Sequence, residues 1–260
     1  MADRTVVAAR AGAAALAGAA VVLGGQVLWT ARRPLPSLEG IDATGRVPGR
    51  GDPDATPIRL VALGDSTLTG PGLTDPDAIW LRRSLAALAL DHPIDVVSLA
   101  VGGSRASDVL ARVPEALALA PDVVIVAVGS NDAIHGTGNR SFTTTFDAIV
   151  SALGSAVPAV GVGNVGDLGN VARVPVPLSS LLRQRSIAIS RRIRAVVARH
   201  DRAVLLDVTA SNVGFRDRGV FAEDLFHPNE HGHALWAEAA RPGLRDLLAR
   251  ATGPAHDDRR

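Results

Sequence analysis

The 260-residue sequence contains no cysteine, no tyrosine and no lysine, so all 27 basic residues are arginine. The absence of cysteine excludes disulfides, thiolate nucleophiles, zinc–cysteine sites and lipid-modified cysteines. The absence of lysine excludes Schiff-base catalysis and the phosphate-binding lysine of P-loop and kinase sites. Without tyrosine, no phenol can act as an acid or a nucleophile. Any chemistry must therefore come from Ser, Thr, His, Asp, Glu, Asn, Arg or backbone groups.

Aromatic residues are also scarce, at 3%, whereas hydrophobic residues make up 47% of the chain. A sizeable core is therefore possible, and it must consist mainly of Ala, Val, Leu and Ile. The formal net charge is +1, so the charge balance does not indicate a nucleic-acid partner. The length suits one domain with appendages or two small domains, and the oligomeric state stays open.

Residues 11–30 carry no charged side chain, and Gln26 is their only strongly polar one. A helix of this length spans about 30 Å, the thickness of a bilayer core. An uncleaved anchor, a cleaved signal peptide and a buried soluble helix are all conceivable. Cleavage after Ala31 would place Trp29 at the −3 position, where a small residue is needed, so we favour the anchor. Arginines flank both ends and do not fix the orientation.

We therefore predict a transmembrane anchor or signal segment over residues 1–33, with the rest of the chain extracytoplasmic, or secreted if the segment is cleaved. Residues 34–57 are rich in Pro, Gly and Asp without a hydrophobic period, which predicts a linker. The folded domain is predicted over 58–251, and residues 252–260 are predicted to be a disordered tail.

Within the domain, short apolar runs alternate with helical segments. Strands are predicted at 58–63, 94–101, 122–128, 158–162 and 203–208. Helices are predicted near 77–90, 105–119, 142–154 and 179–200, and after 229. Continuous apolar strands between helices indicate a three-layer α/β/α domain with about five parallel strands.

Polar clusters follow the predicted strands, where ligands bind in such sheets. They are GDST (64–67), GGS (102–104), GSND (129–132) and DLFHP (224–228). Each cluster alone is a weak signal, because a polar turn after a strand is ordinary. Their combination at separate strand ends predicts one shared site.

Acyl transfer through a serine needs a hydroxyl, a base, a group that orients the base, and donors for the oxyanion. Ser66 supplies the hydroxyl and His227 the base. Asp224 precedes His227 by three residues and can hold its tautomer. The amides of Ser66 and Gly103 and the side chain of Asn131 can form an oxyanion hole.

These clusters, in this order, resemble the four sequence blocks of the SGNH, or GDSL, hydrolase superfamily over roughly residues 58–250. The resemblance implies that Ser66 is the nucleophile and an oxyanion donor, that Gly103 and Asn131 complete the hole, and that His227 and Asp224 activate Ser66. It also implies a flavodoxin-like sheet and an esterase or lipase that needs no cofactor or metal. The implied substrate is a small-molecule, lipid or glycan acyl ester.

The sequence departs from the family pattern in three places. Thr67 stands where the GDSL group has leucine, at a position outside the catalytic constellation. Gly102 adjoins Gly103 and is an alternative for the same role. Residues 161–178 form a Gly/Pro-rich loop that matches no family pattern, which leaves the substrate open.

Two other functions stay open at this stage. An O-acyltransferase would use the same acyl-enzyme and pass the acyl group to a sugar or lipid hydroxyl instead of water. A non-catalytic, membrane-tethered binding module would keep the fold without activating Ser66.

Other motifs have competing interpretations. His227, His231 and His233 suggest a metal site, but there is no HExxH pattern and the segment fits the start of a final helix. Residues 161–166 match GxGxxG, but prolines follow where a dinucleotide site needs a helix, so we predict a flexible active-site loop. The arginine-rich stretch 183–202 predicts an amphipathic helix with a solvated basic face.

Overall fold

A computed structural model describes residues 2–252 of the chain. The strands are β1 Gly45–Val47, β2 Ile58–Gly64, β3 Ile94–Ser98, β4 Val123–Ala127, β5 Ala159–Gly163 and β6 Ala203–Leu206. The helices are α1 Ala2–Arg32, α2 Ser66–Thr69, α3 Trp80–Leu88, α4 Ala106–Ala118, α5 Ser130–Ile134, α6 Asn139–Ala156, α7 Leu178–Val197 and α8 Glu230–Ala251. Helices α2 to α8 flank one six-stranded sheet of order β1-β3-β2-β4-β5-β6. The five strands from β2 to β6 run parallel, which confirms the predicted fold class.

The sheet separates two hydrophobic cores, as the alternation of side chains along β2 shows. Leu60 and Ala62 face the core beneath α3 and α8. Val61 and Leu63 face the opposite core beneath α4, α6 and α7. Because successive residues of a strand point to opposite faces, a continuous apolar run serves both layers.

Strand β1 lies within the segment predicted as a linker, and there the structure differs from that expectation. It pairs antiparallel with β3 at the edge of the sheet, and Ala43 and Val47 are buried. The buried Arg82 guanidinium donates from Nη1 to the carbonyl oxygens of Ala43, at 3.2 Å, and Gly45, at 3.0 Å. These contacts with a distant helix hold β1 in place, so the segment forms a strand although its sequence has no hydrophobic period.

Helix α1 contains the stretch Val6–Arg32, which is long and apolar enough to cross a membrane and has no buried share in its most apolar window. It is therefore not a core helix. Its length and composition fit a membrane anchor or a signal sequence. At the other end of the chain, residues 253–260 of the predicted tail lie outside the described residues.

Candidate active site

Ser66 lies at the sharp change from strand to helix after β2. Gly64 makes this passage possible, because a Cβ there would come within 2.3 Å of the Ala127 carbonyl oxygen on β4. Asp65 caps α2, with its Oδ1 accepting from the Thr67 amide at 3.0 Å. Ser66 is the first residue of α2, so the helix itself does not satisfy its backbone N–H.

Asp224 holds His227 through two hydrogen bonds and accepts a third from Phe226. Asp224 Oδ2 lies 2.6 Å from His227 Nδ1, and Oδ1 accepts from the amides of Phe226 at 2.9 Å and His227 at 3.0 Å. Burial raises the pKa of Asp224, but the hydrogen bonds from His227 and Phe226 outweigh burial and leave it below its usual value. An ionised Asp224 makes His227 Nδ1 the donor, so Nε2 is the basic nitrogen.

Ser66 and His227 line the same two clefts on either side of the nucleophile. Among the described residues, no hydrogen bond joins Ser66 Oγ to His227. Such bonds are often long without substrate and shorten when it binds. The structure therefore brings the three predicted residues together, with Asp224 bonded to His227 and with Ser66 adjoining His227 in both clefts.

The two other predicted oxyanion donors are neighbours as well. Asn131, on α5, donates from Nδ2 to the Ser104 carbonyl oxygen at 3.0 Å. Gly103 has φ +83° in a turn closed by the Ser104 amide and the Val101 carbonyl oxygen, at 3.2 Å. This φ suits glycine, whereas a Cβ at Gly103 would meet nothing within 4 Å. Gly102 does not have a positive φ, so the turn requires glycine at 103 and not at 102.

Two buried aspartates lie behind the nucleophile. Asp132 accepts from the Ala106 amide at 2.9 Å and so ties α5 to the start of α4. Asp65 is fully buried, and its Oδ2 has no partner among the described residues. Burial raises the pKa of Asp65 to about 6, with the charge of Asp132 adding to the rise and hydrogen bonds from Thr67 opposing it.

An apolar pocket adjoins Ser66 on one side. The chain has five Phe and three Trp residues, and four of these side chains line this pocket: Phe215, Phe221, Phe226 and Trp236. Phe215 stacks on Trp236 with ring centroids 5.3 Å apart, and Phe221 meets the Phe215 ring edge-on at 5.8 Å. Sequence reasoning did not identify this pocket, although the presence of four of the eight Phe and Trp residues within positions 215–236 was an available signal.

A more polar cleft adjoins Ser66 on the other side. Its walls include Asp42, Thr69, Ser98 and the turn at Gly102 and Gly103. Leu38, Gly40 and Ile41 also contribute, so residues of the segment predicted as a linker form part of the site. The Ile41 amide donates to the Thr69 carbonyl oxygen at 2.7 Å, which fixes this segment beside α2.

The histidines considered for a metal site lie in different surroundings. His227 pairs with Asp224, and His231 is exposed. His233 is fully buried, and its Nδ1 accepts from the Trp80 amide at 3.2 Å. Burial lowers the pKa of His233 to about 3, so this ring stays neutral. Within residues 2–252, no three His, Asp or Glu residues form a group that could hold a metal ion.

The GxGxxG match at 161–166 is explained by packing. A Cβ at Gly161 would lie 2.5 Å from Ile125 Cδ1 and 2.6 Å from Leu247 Cδ2. The glycine thus lets α8 approach β5 closely. The match is followed by a 3₁₀ turn, Leu168–Asn170, and not by the long helix that a dinucleotide site requires.

Comparison with known proteins agrees with the resemblance that the four sequence blocks indicate. Residues 62–235 match the model of the GDSL-like Lipase/Acylhydrolase family. The chain is similar to the crystal structure of TesA, with a TM-score of 0.60, 25% identity, and coverage of 73% of this chain and 99% of that chain. No curated protein matches.

Two esterase structures share the fold. One is the psychrotrophic esterase EstA from Pseudoalteromonas sp., inhibited by monoethylphosphonate, with a TM-score of 0.58, 17% identity, and coverage of 73% of this chain and 98% of that chain. The other is a catalytic mutant of Axe2, an acetylxylan esterase from Geobacillus stearothermophilus, with a TM-score of 0.58, 18% identity, and coverage of 76% and 95%.

Proposed function

The chain belongs to the GDSL-like lipase/acylhydrolase family, and from this membership we propose that it hydrolyses acyl esters through an acyl-enzyme on Ser66. The observation that carries the proposal is the 2.6 Å bond between Asp224 and His227, whose ring adjoins Ser66 at the junction of two clefts. A base held in one tautomer beside a serine at a helix start is the arrangement that nucleophilic acyl transfer needs.

In the first half of the reaction, His227 Nε2 takes the proton of Ser66 Oγ as this oxygen attacks the ester carbonyl. The amides of Ser66 and Gly103 and the Asn131 side chain stabilise the oxyanion. The C–O bond to the alcohol then breaks, and His227 returns its proton to the departing alcohol oxygen. Ser66 is left acylated and His227 neutral.

In the second half, His227 takes a proton from a water molecule as its oxygen attacks the acyl carbonyl. The bond to Ser66 Oγ breaks, His227 returns the proton to this oxygen, and the carboxylic acid leaves. Asp224 keeps the same imidazole tautomer throughout and stabilises the imidazolium that forms in each half.

The two clefts support a division of the substrate. The aromatic pocket around Phe215 and Trp236 offers an apolar surface for the acyl group, and the cleft around Asp42 and Ser98 offers polar groups for the alcohol. We assign the substrate to acyl esters of small molecules, lipids or glycans. Esterases among the similar structures support this class.

Acyl transfer is the second candidate function, because the polar cleft beside Ser66, with Asp42, Thr69 and Ser98 in its walls, offers hydrogen-bonding groups for an acceptor alcohol. An acceptor alcohol would enter where the first alcohol leaves and would replace water in the second half of the reaction. Mass spectrometry of the products, with and without added glycerol or glucose, separates the two functions. Hydrolysis yields only the free acid, whereas transfer yields a new ester.

We also propose that α1 is retained as an anchor and that the catalytic domain is extracytoplasmic. The length and apolar character of Val6–Arg32 support the anchor. Protease digestion of intact cells tests the orientation, because only an outward-facing domain is cleaved. Protection in intact cells with digestion after lysis would place the domain in the cytoplasm.

The central test uses the full-length protein in detergent micelles with a fluorophosphonate probe. We expect one adduct by intact-mass spectrometry in the parent and in Ser155→Ala, which removes an exposed serine on α6. We expect no adduct in Ser66→Ala. A folded parent that stays unmodified, or an adduct that persists in Ser66→Ala, would contradict the proposed nucleophile.

A further inference from the structure

The second half of α1 is bonded to a loop beside the apolar pocket, residues 171–178, here called the rim loop. Gln26 Nε2 donates to the Val176 carbonyl oxygen at 2.6 Å, and Gln26 Oε1 accepts from the Leu178 amide at 3.0 Å. Both polar ends of this side chain are therefore used by the rim loop. Gln26 is also the only strongly polar residue in the run 11–30.

Arg173 extends this contact to the pocket wall. Its Nη2 donates to the Thr30 carbonyl oxygen on α1 at 3.0 Å, and its backbone amide donates to the Leu225 carbonyl oxygen at 2.9 Å. Its guanidinium lies 6.0 Å from the centroid of the Phe226 ring, which lines the pocket next to His227. A continuous set of contacts thus leads from α1 to the site.

The position of Gln26 in α1 fixes where the rim loop must lie. It comes six residues before Arg32, the last residue of α1, or about 9 Å along the helix axis. An amide at that depth lies near the boundary between hydrocarbon and headgroups, where an unpaired polar group is costly. The rim loop backbone supplies the partners, so it must reach the same depth.

The surface of the rim loop suits that location. Val176 stands between two prolines and is 74% exposed, and Leu181, one turn into α7, is 43% exposed. On α1, Trp29 is 52% exposed, and the Arg33 guanidinium lies over its ring, 5.3 Å from the centroid. Exposed apolar side chains beside a tryptophan and an arginine are typical of a protein surface that lies between the hydrocarbon and the headgroups of a bilayer.

We propose that the rim loop rests in the interfacial layer of the bilayer that holds α1, so that the apolar pocket opens towards the membrane and takes acyl esters that reside in it. The substrate class is then an amphiphile whose acyl chain lies in the bilayer. The inference rests on the proposed anchor and, for the substrate, on the proposed hydrolysis.

The absence of cysteine makes a direct test possible. Full-length Val176→Cys, labelled with the fluorophore NBD, is reconstituted in vesicles of phosphatidylcholine and phosphatidylglycerol. The matched control is Leu119→Cys, an exposed leucine at the end of α4, on the edge of the sheet opposite the site. We expect the label at 176 to emit at shorter wavelength and to show at least threefold weaker quenching by iodide. Equal quenching at both positions would overturn the proposal.

A second variant tests the role of Gln26. Gln26→Leu removes both bonds to the rim loop but keeps α1 apolar, so insertion is retained. Iodide quenching at 176 should rise about threefold and stay constant at 119. Unchanged quenching at 176, or the absence of residues 1–33 from the protein isolated from cells, would contradict the arrangement.

The readout is independent of catalysis. A protected label at 176 with an unreactive Ser66 would support docking and contradict the proposed function. A reactive Ser66 with an exposed label at 176 would support the proposed function and contradict docking of the rim loop. Because only this protein and lipid are present, protection of the label cannot come from a different protein.

Discussion

The Asn131 side chain donates a hydrogen bond to the Ser104 carbonyl oxygen, at 3.0 Å, and so fixes α5 to the turn that contains Gly103. Two proposed oxyanion donors from different strand ends therefore keep a constant relative position. An amide NH₂ carries two hydrogens, so the second remains for the substrate. Preorganised donors of this kind are the main source of oxyanion stabilisation.

Asn131→Ala should lower kcat by about 10²–10³ with a small change in KM, because the lost donor acts on the transition state. The loss of one hydrogen bond should cost only about 1 kcal/mol of stability. Steady-state kinetics on a chromogenic acetate ester, with thermal melts, checks both. A kcat within twofold of the parent would rule out the proposed role.

Asp224→Asn should lower kcat by about 10³–10⁴ while the fold is retained. The amide oxygen can still accept from the backbone at Phe226 and His227, but the amide nitrogen would face His227 Nδ1 and force the other tautomer. Asp217→Asn is the matched control, because Asp217 also accepts from a backbone amide two residues on, at Gly219, 2.9 Å away. A similar loss in both variants would show a general effect on folding and not on the tautomer.

Asp65 should make stability depend on pH. Burial raises its pKa to about 6, whereas the unfolded value is about 3.9. The protonated form therefore stabilises the fold below about pH 4, and this contribution is lost as the pH rises through 6, by at most about 3 kcal/mol. Asp65→Asn can keep the cap on Thr67 without ionising.

Differential scanning fluorimetry from pH 4 to 8 tests this relationship. The Tm of Asp65→Asn relative to the parent should rise by several degrees between pH 4 and pH 7. Asp75→Asn alters an exposed cap that accepts from the Asp77 amide at 2.9 Å, and its Tm difference should stay constant. A difference that is independent of pH at position 65 would disprove the prediction.

Two glycine substitutions should have opposite effects. Gly161→Ala should lower the free energy of unfolding by about 1–3 kcal/mol, because its Cβ would overlap Ile125 and Leu247. Gly154→Ala lies within α6, where a Cβ meets nothing within 4 Å, and should raise it by about 0.5–1 kcal/mol. Urea unfolding of both variants measures the difference. Equal effects would argue against the packing explanation for the glycine pattern on β5.

The parallel strands could be predicted because each contains a short, mostly apolar run, and the central ones are buried on both faces. Every residue of β4 and β5 is buried, for example. Strand β1 could not be predicted, because its place depends on one distant side chain, that of Arg82, and on pairing with β3. A three-residue strand carries too little pattern of its own.

Ser66, Gly103 and Asn131 could be predicted because each closely follows a strand, and parallel strands end at one edge. Asp224 and His227 lie well beyond the end of β6, and the resemblance of DLFHP to the last family block identified them.

The aromatic pocket could not be predicted. Phe215 lies within the 3₁₀ segment Val208–Arg216, and Phe221 follows the short 3₁₀ turn Arg218–Val220. Neither segment has a hydrophobic period in its sequence. Only tertiary packing brings these rings to Trp236 on α8.

The path of the chain from α1 to the sheet has a mechanical consequence. Residues 33–44 lead from α1 past α2, where the Ile41 amide is bonded to the Thr69 carbonyl oxygen, and then to β1. A pull along this segment therefore loads the Ile41–Thr69 bond first and reaches the sheet at its edge strand. Three residue pairs hold β1 to β3, whereas β2, which leads to Ser66, is paired on both sides. Under tension the Ile41–Thr69 bond and the edge strand with its bonds to Arg82 would yield before β2, and the strand that leads to the nucleophile would remain in register.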